Sequence, residues 1–241
     1  MLAIGFDLDN TLYNRNDHIK KMIVQLNEKE NLDISTRDFI EVFNSRSEVE
    51  YQKFIHGDKT RDAYRLDRTL QTFEALNIDL SYDEMKAFNA DYDARQSNLS
   101  LRPYAEEFMQ KLIAEGHKLF IITNGSSRDQ RNKLAHFKLE SYIPKEYWYI
   151  SGELDMTKPN KEIFQYVEEQ ITSKKYLYIG DNHLNDIVPT QELGWTSIYI
   201  NDDVENERIH SEYFKVDSFK EIYNFYLETN KFRSWIYERG K

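Results

Sequence analysis

An α/β fold, with a parallel sheet covered by helices on both faces and interrupted by an all-helical insertion, is predicted by three features of this 241-residue chain. Five short apolar runs, Leu2–Phe6, Lys118–Ile122, Tyr147–Ile150, Tyr176–Ile179 and Thr196–Ile200, are rich in β-branched and aromatic residues and read as buried strands. Helical patterns accompany the last four, which is the βαβ alternation of a parallel sheet. Between the first strand and the second lies a stretch of about 85 residues, far longer than a usual crossover connection, with no good strand candidate.

Taken in order, the first strand runs into Asp7, Leu8, Asp9, Asn10 and Thr11. The insertion then reads as four helices, about Asp17–Glu30, Thr36–Phe54, Lys59–Leu76 and Ser81–Asn98, with Ser35 or Thr36, Asp58 and Ser81 as N-caps. Four helices on short loops make a bundle of their own, tethered at both ends beside the first strand and placed to cover it as a lid. The expected division is therefore 1–15 with 101–241 as core and 16–100 as helical cap. Helices over Tyr104–Glu115, Ser127–Phe137, Lys161–Gln170 and Asn185–Leu193 alternate with the remaining strands. The acidic loop Asn201–Glu207, an apolar patch at Tyr213–Val216 and an aromatic helix over Ser218–Leu227 follow. Phe232, Trp235 and Tyr237 end the chain and read as a helix packed on the core.

Composition narrows the function. Lys and Arg number 32 against 42 Asp and Glu, a net charge of -10, which disfavours a nucleic-acid polymer or an anionic membrane as partner. A small anionic substrate remains open if a local cation offsets the field. There is no cysteine, so disulfides, thiolate nucleophiles and Cys-ligated metals are excluded, and a cytoplasmic location is expected. Neither a secretory leader nor an apolar run of membrane-spanning length is seen.

In open parallel sheets ligands sit outside the carboxyl ends of the strands. Asp7 and Asp9 arrive together at the first such end, and strand alternation puts them on one side. Their repulsion needs a divalent cation, a shared proton or exposure to water. The second strand ends in Thr123, Asn124, Gly125 and Ser126, and the fourth in Gly180, Asp181 and Asn182, with Asp186 one turn later. Lys158 precedes Pro159 before a helix. These residue types assemble into a phosphoryl-transfer site. Asp7 and Asp181 are hard oxygen ligands for Mg²⁺. Thr123 and the backbone amides of the Asn124–Gly125 turn suit phosphate oxygens, and Lys158 brings the needed positive charge. The most readily available nucleophile is a carboxylate.

The four pieces, in this order, resemble the haloacid dehalogenase-like superfamily of phosphohydrolases. Asp7-Leu8-Asp9-Asn10-Thr11 matches its DxDx[TV] motif, Thr123 in IITNG its second, Lys158 in TKPN its third, and Gly180-Asp181 through Asp186 its fourth. The resemblance spans the whole chain, as a Rossmann-like core with a C1-type helical cap. It implies Asp7 as nucleophile and metal ligand, and Asp9 as general acid then base, whose backbone carbonyl also touches the metal. It further implies Thr11 as the residue that orients Asp9, Thr123 and Lys158 on the phosphoryl group, Asp181 as a metal ligand, and Asp186 as an anchor for the metal's shell or for Lys158. Dehalogenating members lack an acid at the position of Asp9, because a halide leaves without a proton.

The expected activity is thus Mg²⁺-dependent hydrolysis of a small phosphomonoester, such as a nucleotide monophosphate, sugar phosphate or phosphoglycolate, through an aspartyl phosphate. A phosphomutase of the same family, or a non-catalytic phospho-ligand-binding or signalling protein, are the alternatives. The partner expected is a small phosphorylated metabolite, and the assembly a monomer or homodimer. His56, Lys59, Arg61 and Arg65 are cations of the insertion for which a solvated helix face is the simpler reading. Tyr13 lines the cleft or packs. His18, His117, His136, His183 and His210 show no metal-ligand spacing.

Overall fold

The computed structural model describes residues 1–95, 98–201 and 213–238. The acidic loop beyond Asn201 and His210 lie outside the described residues. The chain forms two compact units, Met1–Asn14 with Ser100–Lys241, and Arg15–Leu99.

The first unit holds the expected α/β fold. Among the described residues six parallel strands, β1 (Ala3–Phe6), β2 (Lys118–Thr123), β3 (Trp148–Ile150), β4 (Tyr176–Gly180), β5 (Thr196–Ile200) and β6 (Phe214–Val216), lie in the order β3-β2-β1-β4-β5-β6. The chain builds outward from β1 to one edge, returns to its other side at β4, and builds to the opposite edge. β1 is thus the switch point, where the crevice outside the strand ends opens. Phe6 registers with Ile121 on one side and Ile179 on the other. Asp7 is therefore level with Ile122 and Gly180, and Thr123 and Asp181 follow one residue beyond it on the two adjacent strands.

Both faces of the sheet are buried. On one, Phe120, Ile122 and Tyr178 pack against Ile163, Phe164, Val167 and Trp195. Small residues in β1 make room there: a Cβ on Gly5 would lie 2.7 Å from the Tyr178 ring. On the other face Phe6, Phe108 and Phe219 meet at centroid distances of 6.3 to 6.4 Å. The covering helices are α5 (Ala105–Ala114), α6 (Ser127–His136), α7 (Ser151–Leu154), α8 (Lys161–Gln170), α9 (Val188–Glu192), α10 (Phe219–Leu227) and α11 (Thr229–Glu238). Ser126 and Ser218 cap α6 and α10 by accepting the amides of Asp129 and Glu221.

Three departures from the sequence reading have physical causes. The apolar patch after the acidic loop is a sixth strand; three residues carry no readable period, and pairing of Ile200 with Val216 supplies the order. The helix expected over Asn185–Leu193 is instead a π-helical turn, His183–Ile187, followed by α9, with the Val188 amide bonded to the His183 carbonyl. Pro189 has no amide to continue a regular ladder backward. Thr123 and Gly180 lie within their strands rather than after them. Of the C-terminal aromatics, Phe232 and Trp235 pack, lying 5.5 and 5.4 Å from the Phe225 ring between centroids, while Tyr237 is exposed.

The second unit is helical: α1 (Asn16–Glu30), α2 (Thr36–Ile55), α3 (Arg61–Ala75) and α4 (Tyr82–Arg95). Ile19, Met22, Ile23, Phe39, Phe43, Phe73, Phe88 and Tyr92 form its core. Ser35 caps α2, and Ser81 and Glu84 form a reciprocal capping box at α4. Thr60, rather than Asp58, caps α3, accepting the Ala63 amide at 3.2 Å. Glu50 is fully buried in this unit, accepting from Lys53 at 2.5 Å, Gln71 at 3.0 Å and Lys59. Among the described residues no helix is long and apolar enough to cross a membrane.

Candidate active site

Asp7 leaves β1 with its amide still bonded to the Ile179 carbonyl at 2.9 Å, so the sheet ladder fixes its backbone. Leu8 turns into the core and is fully buried. The Asp7 carboxylate is held at both oxygens. Oδ1 accepts from Lys158 Nζ at 2.7 Å, and Oδ2 from the Thr11 hydroxyl at 2.8 Å. Thr11 also lies 3.4 Å from Asp181 Oδ1. Lys158, 5% exposed, has three ammonium hydrogens and three acceptors: Asp7, Asp186 Oδ1 at 2.6 Å and the Tyr178 hydroxyl at 3.3 Å.

Two devices hold Lys158 and Asp186 in place. The Asn124 side chain accepts the Lys158 amide at 3.0 Å and donates to its carbonyl at 2.9 Å, tying the loop before α8 to the end of β2. Gly180 leaves the space that the Asp186 carboxyl fills; a Cβ there would stand 2.5 Å from its Cγ and Oδ2. Asp186 Oδ2 in turn accepts the Asn182 amide at 3.0 Å.

Asp7, Asp181 and Asp186 each offer a carboxylate oxygen within 4.8 Å of the others. Burial raises the Asp7 carboxyl to about 6, with the Asp186 and Asp9 charges adding to the effect and Lys158 opposing it. Burial alone would lower the Lys158 ammonium, but the facing Asp186 and Asp7 charges hold it well above its ordinary value. Three carboxylates against one ammonium leave the end of β1 negative. Three hard oxygen donors at this spacing fit a divalent cation of the Mg²⁺ kind, whose charge would offset the excess.

Asp9 stands close enough for its charge to bear on Asp7, and the chain turns just after it, at Asn10, which takes a left-handed φ of 62°. The Asp9 carboxylate accepts from Gln130 Nε2 at 2.8 Å, Lys133 Nζ at 2.6 Å and the Tyr13 hydroxyl. The Asp9 side chain is thus not one of the three grouped carboxylates. Thr123 is buried, with its hydroxyl 2.5 Å from Gln130 Nε2. One expectation for the Asn124–Gly125 turn is corrected: the Gly125 N–H donates to Ser151 Oγ at 2.9 Å rather than standing open for phosphate. The Asn124 side-chain amide is committed to the Lys158 backbone.

Sequence reasoning missed Gln130, Lys133 and Tyr178. Gln130 and Lys133 lie three apart on α6, directly after Thr123, and that spacing is the signal that could have found them. Tyr178 is hidden in an apolar strand. Tyr13 is fully buried, its ring 4.9 Å from that of Phe137. In the helical unit Lys59 is bonded to Glu50 and Asp67, and Arg65 stands 3.6 Å from Asp93. His117 accepts the Leu2 amide at 3.1 Å, and His183 lies against Tyr199 and Tyr213. Among the described residues the acidic group at the sheet contains no histidine.

Comparison with known proteins gives the following. The model of a family described as haloacid dehalogenase-like hydrolase matches residues 4–200. The glyceraldehyde 3-phosphate phosphatase of Methanocaldococcus jannaschii is 27% identical over 221 residues, 82% of this chain and 84% of that protein. A pyrimidine 5'-nucleotidase of Escherichia coli is 34% identical over 87 residues, 35% of this chain and 38% of its own. The magnesium-bound crystal structure of the Bacillus subtilis protein YfnB superposes with a TM-score of 0.61 at 22% identity, covering 92% of this chain and 97% of that one.

Proposed function

We propose that this chain, which belongs to the haloacid dehalogenase-like hydrolase family, is a Mg²⁺-dependent phosphatase that hydrolyses a small phosphomonoester through a phosphoryl group carried on Asp7. The observation that carries the reading is the doubly held Asp7 carboxylate, buried against Lys158 and sharing a carboxylate pocket with Asp181 and Asp186.

In this reading Asp7, Asp181 and Asp186 hold the ion. When bound, it would neutralise charge on the phosphate oxygens and orient them for attack. Asp7 attacks phosphorus with one carboxylate oxygen, and the ester oxygen departs with a proton from Asp9. Asp9 then takes a proton from the water that attacks the acyl phosphate, releasing inorganic phosphate and restoring Asp7. Lys158 and the Thr123 hydroxyl bear on the transferring phosphoryl oxygens. Thr11 and Lys158 hold the plane of the Asp7 carboxylate, so less of the barrier is spent on orienting it. An acid at position 9 is what an alkoxide leaving group requires.

The related proteins named as a triose phosphate phosphatase and a nucleotidase support a phosphomonoester substrate. The test is release of inorganic phosphate from p-nitrophenyl phosphate, followed by a panel of triose phosphate, pyrimidine nucleotide, sugar phosphate and phosphoglycolate. Turnover is expected to need Mg²⁺, to stop with EDTA and return with Mg²⁺, and to vanish in folded Asp7→Asn. Near-normal kcat in Asp7→Asn would refute the covalent route, and an isomerised sugar phosphate without phosphate release would make the chain a mutase.

A further inference from the structure

Gln130 is 1% exposed, and its side-chain nitrogen faces three acceptors at once: Asp9 Oδ2 at 2.8 Å, Thr123 Oγ1 at 2.5 Å and the Asn124 carbonyl at 2.9 Å. An amide nitrogen has two hydrogens, so this one group ties the strand end that carries Thr123 to the carboxylate of Asp9. A Thr123 hydroxyl that accepts from Gln130 keeps its own proton free to donate outward. The space for Gln130 is reserved in the backbone. Gly125 sits at φ 149°, and a Cβ there would stand 2.9 Å from Gln130 Cγ and Cδ. One helical turn on, Lys133 Nζ approaches the other Asp9 oxygen at 2.6 Å, and the Tyr13 hydroxyl donates to that same oxygen. Asp9 is thus gripped from α6 as well as by Tyr13, four residues further along its own segment.

We propose that Gln130, seconded by Lys133, is a positioning residue that sets where the leaving-group proton is delivered, by fixing the Asp9 carboxylate relative to the phosphoryl group at Thr123. The inference rests on the phosphatase reading above. It makes two separable contributions. The bond to Thr123 bears on the phosphoryl group and is indifferent to what leaves. The bond to Asp9 matters only when the leaving oxygen needs a proton, as an alkoxide does and p-nitrophenolate scarcely does.

The experiment compares kcat/KM, which reports the step in which the ester bond breaks, for glycerol 2-phosphate and p-nitrophenyl phosphate with Mg²⁺. Gln130→Met, close to Gln in shape but without its donors, is expected to lose about 30- to 100-fold on glycerol 2-phosphate and under about 10-fold on p-nitrophenyl phosphate. Lys133→Met is expected to lose about 10-fold and under about 2-fold respectively, with Lys133→Arg recovering most of the glycerol 2-phosphate activity. Lys133 is partly exposed, so its variants carry the test even if Gln130→Met fails to fold, which thermal melting reveals. Equal losses on both substrates in the folded variants would overturn the inference and leave the phosphatase reading standing. No turnover of either ester by the unaltered chain would overturn both.

Discussion

Replacing Gly180 by Ala tests whether the acidic pocket works as a fitted unit. The added Cβ would stand 2.5 Å from Asp186 Cγ and Oδ2, against an ordinary contact of about 3.5 Å, so the carboxyl must retreat by about 1 Å. Gly180 does not use a left-handed φ, so the backbone itself tolerates Ala and the effect is steric alone. The retreat takes Asp186 beyond hydrogen-bond reach of Lys158 Nζ, now at 2.6 Å, and of the Asn182 amide, now at 3.0 Å. Severing a buried ion pair outright costs about 3–5 kcal/mol. Lys158 retains Asp7 and Tyr178, so about 2–3 kcal/mol is expected here. A catalytic group displaced by about 1 Å costs about 100-fold in rate. Thermal melting gives the first quantity. Hydrolysis of p-nitrophenyl phosphate across a Mg²⁺ titration gives the second, with half-saturation displaced to higher Mg²⁺. Activity within about 2-fold of the unaltered chain, at an unchanged Mg²⁺ requirement, would refute the reasoning.

Two further perturbations probe buried polar groups. Burial alone would raise the Glu50 carboxyl, but hydrogen bonds from Lys53, Lys59 and Gln71 pull it down to about 2 from 4.5. Its contribution, up to about 3 kcal/mol, is therefore complete above pH 4.5 and lost as pH falls toward 2. Glu50→Gln should melt well below the unaltered chain at pH 7, and the gap should close on acidification; a pH-independent gap would contradict this. Tyr178→Phe removes one acceptor of Lys158 and leaves the Ile122 carbonyl without its 2.9 Å donor. A loss of about 1–2 kcal/mol in stability and a several-fold fall in kcat/KM are expected, and unchanged values of both would count against a role for the hydroxyl.

What the sequence made legible at the site is what strand ends position directly. Asp7, Thr123 and Asp181 each stand at or beside the last residue of a strand, so locating the strands to within a residue locates them. Lys158 and Asp186 follow from their spacing to the next helix. Partner choice was less visible because it is settled across space. Nothing in IITNG announces that Gly125 gives way to Gln130, or that Asn124 serves the Lys158 backbone. The partners of Asp9 were hidden in the same way, because Gln130 and Lys133 reach it from α6, 121 and 124 residues along the chain. β6 is too short for any period, and the π-helical turn before α9 arises from Pro189, whose missing amide is a backbone property that hydrophobic spacing does not register.

That turn makes the interval from Asp181 to Asp186 a matter of count rather than of composition. The Asp186 amide closes on the Asn182 carbonyl four residues back, while the Val188 amide reaches five back to His183. One residue inserted or removed there rotates everything beyond by about 100°, swinging Asp186 away from Lys158. Leu184, 69% exposed, can change its side chain at little cost. It cannot be deleted. Surface loops usually absorb length changes more easily than buried positions absorb new side chains; along this short stretch the order is reversed.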